Sequence, residues 1–351
     1  MSDMQPAPLP DYKSSKPPRF SLSRLRWWRL LLVPLAVLVV LNFVLMWWWD
    51  KELPLYDSVE RTRSATAALG EQVVVGTLTT DALVQVIDAM LSKRGGYLSN
   101  DITPPGLLMD NMPNWEFGVL LQSRDLVRAL RNGFSRSLTQ SVEDKDLAEA
   151  DPLLSTTNDR WIFPSSESQY AKAADYLKDY RLRLQDGNKD DAQFFARADN
   201  LADYLGLVES RLGSLSQRLS ASVGQLRINT DLGNDASAVG ARQGEQEREV
   251  QTPWLQIDDV FYEARGTTFA LAIFLHAIEH DFGSVLDNKN ARVSLQQVIR
   301  ELEEAQEPLH SPMVLNGSNF GLFANHSLVL ANYISRANAT VIELRTLLQR
   351  G

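Results

Sequence analysis

The chain has 351 residues and no cysteine, is 44% apolar and 23% charged, and carries a formal net charge of −9. That length buries a core without covalent staples, and the missing thiols exclude disulfides, thiolate metal sites and cysteine nucleophiles together. Residues 1–29 hold net +4 and the next twenty hold no charge, which leaves −13 for residues 50–351. A body that acidic, with no dense Lys/Arg run, argues against nucleic acid as a partner and against lying flat on anionic lipid.

Residues 1–29 form a basic tail rich in Pro, Ser and Lys, expected to be disordered. Leu30–Trp49 reads LLLVPLAVLVVLNFVLMWWW, which matches the roughly 20 residues a helix needs to cross a bilayer. Trp27 and Trp28 at one end and Trp47, Trp48 and Trp49 at the other bracket it as an interfacial aromatic belt. A cleaved leader has a shorter apolar core followed by small residues, whereas Asp50-Lys51-Glu52-Leu53-Pro54 follows here. The basic excess before the span keeps the N-terminus in the cytoplasm and sends residues 50–351 across.

Beyond the span the pattern is helical throughout. Asp57-Ser58-Val59-Glu60 reads as a capping box. Thr80 and Asp81 precede a face of Leu83, Val84, Ile87, Met90 and Leu91. A loop over 94–114, with Gly95-Gly96, Pro104-Pro105-Gly106 and Pro113, leads to a helix predicted to be capped by Asn114. Residues 141–159 read as a polar connection, and Ser166 with Gln169 as a second capping box. Leu201, Leu205, Val208, Leu212, Leu215 and Leu219 repeat at heptad-like spacing, with Val223 and Leu226 continuing it after a one-residue slip. Such a face packs inside its own domain or pairs with a second chain, so self-association stays open. Residues 228–252 read as a mobile loop or linker between a first helical part, 50–227, and a second, 253–351. Thr252-Pro253 opens the next helix, which contains the apolar stretch Phe269–Ile278, too short to span a membrane. Two further helices follow, over Leu295–Leu302 and Leu330–Leu348. The fold expected is all-α: one transmembrane helix, then a multi-helix periplasmic bundle with one long heptad-like helix.

No phosphate loop, nucleophile elbow, zinc-protease helix or dinucleotide fingerprint occurs, and no cofactor is implied. Two weaker constellations remain. Asp110 and Glu116, beside Trp115, offer the carboxylate pair that a glycan hydrolase uses, one acid with a raised pKa near an ionised partner. Turn and cap chemistry uses the same residue types. His276 and His280 share one helical face and supply two metal ligands, although a zinc site needs a third.

The stretches KRGGYLSNDITPPGLLMDNMPNWEFGVLLQSRDLVRALRNGFSR (Lys93–Arg136), RWIFPSSES (Arg160–Ser168) and RLGSLSQRLSASV (Arg211–Val223) resemble an uncharacterised proteobacterial inner-membrane family, domain of unknown function 2333. The resemblance spans nearly the whole chain. It implies a Gram-negative inner-membrane protein with a periplasmic body, and it transfers no activity and no functional residue. The expectation is therefore a membrane-tethered helical body that binds or scaffolds other envelope proteins. A peptidoglycan-directed hydrolase and a periplasmic metal-binding module are the alternatives.

Overall fold

The structure is a computed structural model that describes residues 22–70, 72–137, 142–188, 191–228, 247–311, 313–318 and 322–350, with backbone alone for 22–30, 69, 225–228 and 247–250. Two compact units result, residues 1–45 and 46–351. The first contains most of helix α1 (Leu22–Trp49). This helix starts before the apolar run, inside the tail expected to be disordered, because Leu22–Leu32 contains no proline or glycine to stop it. Over Leu31–Trp49 it is long and apolar enough to cross a membrane. Leu31 and Phe43 are largely exposed. Within that apolar stretch Asn42 donates its side-chain amide to Leu38 O at 2.9 Å, one turn back in the same helix.

The second unit is a bundle of α2 (Ser58–Leu69), α3 (Thr77–Ser92), α4 (Asn111–Ala129), α5 (Lys145–Leu154), α6 (Ser166–Gln185), α7 (Ala198–Ser220), α8 (Ile257–Asp281), α9 (Gly283–Asn288), α10 (Arg292–Glu304) and α11 (His326–Gln349). Two four-residue strands, β1 (Gln225–Ile228) and β2 (Glu247–Val250), pair antiparallel. They flank residues 229–246, so most of the expected loop lies outside the described residues.

Local chemistry sets the boundaries. Asp57 caps α2 by accepting from Glu60 N at 2.9 Å, as its sequence predicts. Helix α4 starts earlier than Asn114: Asp110 is the cap, accepting from Asn111 N, and Pro113 sits in the first turn, where its missing N–H leaves no bond unmade. Asn114 instead donates to Asp259 at 2.7 Å. Ser165 rather than Ser166 caps α6. Gln256 precedes α8, with a single 3₁₀ turn, Trp254–Gln256, after Pro253. Helix α5 lies inside the stretch expected to be a polar connection. Asp144 caps it, and Leu147, Ala150 and Leu154 are buried. The slip in the heptad-like repeat is the end of α7: after a 3₁₀ turn, Gly224 at φ +79° turns the chain into β1.

Ion pairs join neighbouring helices. Asp125–Arg211 sets α4 against α7, Asp81–Arg181 sets α3 against α6, and Arg336–Glu301 sets α11 against α10. The core axis is α8, buried on nearly all sides; Asn114 to Asp259 near their starts and Phe134 on Phe282 just past their ends set it parallel to α4. The two backbones touch: a Cβ at Gly118 would stand 2.1 Å from Glu263 O, and one at Gly266 would stand 1.9 Å from Trp115 O. Trp115 packs on Phe269 and Phe134 on Phe282, at centroid distances of 5.1 and 5.0 Å. The alternating directions gather the α3–α4, α5–α6, α7–α8 and α10–α11 connections at one end. Trp48 and Trp49 contact Arg94 and Gly95 there, so this is the anchor end.

Candidate functional sites at the two ends of the bundle

Glu116 is fully buried on α4, and its carboxylate is saturated. Lys93 Nζ lies 2.6 Å from Oε1; Leu98 N donates at 2.8 Å; Ser99 donates through N at 2.8 Å and through Oγ at 2.6 Å. The turn that delivers these donors depends on Gly95 and Gly96, both at positive φ. Burial pushes the Glu116 carboxyl up, and Lys93 with the hydrogen bonds pulls it back. The group thus bolts the 93–99 loop to α4 and has no free lone pair to present to a substrate. Asp110 is exposed, on the cap of the same helix. The structure gives these two carboxyls separate structural partners.

His276 Nε2 meets Glu303 at 2.8 Å, while His280 Nδ1 faces the Arg63 guanidinium at 3.2 Å. Burial, then Arg63, hold the His280 imidazole below its ordinary value. A cation beside one histidine opposes a second cation there, and among the described residues no group of three His, Cys, Asp or Glu stands ready to hold a metal ion. Leu201, Leu205, Val208, Leu212, Leu215 and Leu219 are all buried, and α7 lies against α11, with Arg345 of α11 reaching Glu209 and Ala202 O. That face is occupied within the chain. Trp47 and Trp48 are exposed; the side chains of Trp27 and Trp28 lie outside the described residues, as does that of Leu30.

Two features were not apparent from sequence. At the end opposite the anchor, α4 widens into a π turn, Leu130–Phe134, closed by Ser135 N donating to Leu130 O at 2.9 Å. At this helix end Gly133 O accepts from Asn200 Nδ2 at 3.1 Å as well as from Arg136 N at 3.2 Å, and Phe134 O accepts from Phe195 N at 2.6 Å. Beside it opens a cleft of about 410 Å³, lined by Arg128, Asn132, Arg136, Arg197, Asp199 and Asp203 among others. Both charge signs and the side-chain amides of Asn132 and Asn200 line it. No signal short of the fold joins residues near 130 to those near 200.

The second feature is Arg265, buried on α8. Its guanidinium holds Glu52, just past the apolar helix, with Nε to Oε2 at 2.9 Å. It also donates through Nη1 to Ala305 O at 2.7 Å and Glu307 O at 2.9 Å, at the C-terminus of α10. A cation there is favoured by the helix dipole as well as by Glu52. The acidic side chains close by perturb one another: burial and then the neighbouring carboxylates raise Asp259, and burial, with Asp110 and Glu52, raises Asp50.

Neither a curated protein nor a solved structure matches this chain. A family model does, over residues 22–351, and it takes in both the apolar helix and the whole bundle. By that match the chain belongs to the family described as uncharacterized protein conserved in bacteria, DUF2333.

Proposed function

We propose that this protein is a single-span protein of the bacterial inner membrane, N-terminus in the cytoplasm, whose helical body stands in the periplasm and binds or scaffolds other cell-envelope proteins. The observation that carries the binding reading is the open cleft beside the π turn, at the end of the bundle away from Trp48 and Trp49. A tethered body reaches a partner most easily with that end. The apolar helix with outward side chains and the basic tail before it support the anchor and its orientation. The saturation of Glu116 removes the main support for a glycan hydrolase. The separate partners of His276 and His280 do the same for a metal-binding module.

Photocrosslinking in living cells tests the reading, with a photoreactive residue at Leu207, on the cleft wall, or at Ile342, an exposed position on α11 away from it. Discrete adducts with envelope proteins from position 207 and not from 342 are expected. Adducts of twice the chain's mass would name a second copy as the partner. Equal, diffuse labelling from both positions would overturn the cleft as a binding surface.

A further inference from the structure

We propose that the anchor end of the body seats directly on the bilayer surface, with Leu108, Trp161, Phe163, Trp254 and Leu255 entering the headgroup layer. This rests on the reading of α1 as a membrane span.

The distribution of exposed rings is one-sided. Among the described residues of the body, the exposed tryptophans and phenylalanines are Trp47, Trp48, Trp161, Phe163, Trp254 and Phe323. All lie on the connections at the anchor end or on the chain that enters it. Among their described residues, the connections at the opposite end expose only valines among large apolar residues: Val73, Val75 and Val142. A surface meant for water does not gather its aromatic rings at one pole.

Short contacts tie each segment to the point where the chain leaves the apolar helix. The Arg94 guanidinium lies 4.5 Å from the Trp48 ring centroid, and Asn111 donates to Asp50 at 3.3 Å. Leu107 and Leu108 immediately precede α4, whose first residue is Asn111. Tyr97 Oη donates to Asn158 O at 3.0 Å and Asn100 Nδ2 to Arg160 O at 3.2 Å, which docks the Trp161–Phe163 segment beside the 94–110 loop. Asn114 to Asp259, at 2.7 Å, holds the start of α8, where Trp254 and Leu255 protrude at 76% exposure each. Phe163 is 93% exposed. These loops are held firmly, by the Glu116 carboxylate in one case, so the exposure of their rings is built in.

Trp47–Trp49 close the apolar run and therefore sit at headgroup level in the spanning reading. The loops linked to them through Arg94, Asn111, Asn100 and Asn114 present their apolar side chains to the same layer, where interfacial segments bury about 5–10 Å deep. The occupant is a zwitterionic lipid surface. Asp101, Asp110, Asp159 and Asp258 outnumber Arg94 and Arg160 among the apolar side chains, so there is no net attraction to anionic headgroups and partition of tryptophan, phenylalanine and leucine supplies the contact.

The absence of cysteine makes the test clean, since one introduced cysteine takes one label. Full-length F163C, L255C, V142C and L41C, each carrying an environment-sensitive fluorophore, are reconstituted into phosphatidylcholine vesicles containing nitroxide lipids, shallow or deep. The label at 41 reports the span and is quenched by the deep nitroxide. Labels at 163 and 255 are expected to lose more emission to the shallow nitroxide than to the deep one, as burial of only about 5–10 Å requires, while the label at 142 keeps its own. If 41 is quenched and 163 and 255 behave like 142, the seating is overturned and the anchor stands. An unquenched 41 overturns the span and the seating with it. A blue-shifted but unquenched label at 163 or 255 means that a protein surface, a second copy included, covers the face, and that also overturns the proposal.

Discussion

Glu116 and Lys93 illustrate how a single buried pair decides what a loop is for. Both side chains are almost without solvent contact, at 0% and 1% exposure, so removing one charge strands the other in a medium that does not solvate it. Glu116→Gln is expected to lower unfolding stability by about 3–5 kcal/mol, read as a fall in denaturant midpoint, and Lys93→Met combined with it should recover part of that loss. A hydrolase reading would instead have the Gln variant keep its stability and lose activity. His280 gives a pH signature. Its folded value lies below the ordinary 6.5 or so, so the unfolded chain takes up the proton first. Stability is then complete above about 6.5 and declines as the pH falls toward the folded value. His326 acts in the same sense, its Nδ1 accepting from Leu315 N at 3.0 Å and its value lowered by burial. Melting temperatures measured on either side of that window should differ less in His280→Gln than in the parent; equal differences would show that His280 does not titrate on unfolding.

Between helices, the decisive contact is the backbone-to-backbone approach of α4 and α8. Gly266→Ala should cost about 3 kcal/mol, because the added carbon meets the Trp115 carbonyl rather than a yielding side chain. This outweighs the roughly 1 kcal/mol that alanine gains in helix propensity. A variant as stable as the parent would mean that the two axes part without penalty. The same pair shows what sequence makes legible. Faces of large apolar residues at helical spacing, such as Leu83–Leu91 or Phe269–Ile278, announce themselves, as does a cap like Asp57 with Glu60. A glycine inside a helix announces only weakness, and which carbonyl approaches it depends on the partner. Helix α5 escaped because Leu147, Ala150 and Leu154 are too few, among too many acids, to raise a periodic signal. The earlier start of α4 escaped because Pro113 and Asp110 resemble a turn until the following bonds are known. Of the sites, the residue types were legible and their commitments were not. Whether a glutamate beside a tryptophan is free or saturated depends on Lys93, Leu98 and Ser99 folding back over it.

At the scale of the whole molecule, the proposed reading holds the chain in the membrane through the apolar stretch of α1. Alkaline carbonate should therefore leave the full-length chain in the membrane pellet, whereas release into the supernatant would exclude a spanning helix. The cysteine-free composition adds that reducing agents should not shift its melting temperature. The attachment of Glu52 to Arg265 has a mechanical consequence. Any pull between membrane and partner enters the body over Trp48–Glu52 and passes to the 94–111 segment through Arg94 and Asn111 and, through Arg265, to α8, its central axis, and to the closing carbonyls of α10. The load is delivered to the most deeply packed helix, in parallel through several bonds. It does not peel surface helices away one at a time. A tether gripped at its centre yields late and all together, and neutralising Arg265 would convert it into one that unravels from the edge at lower force.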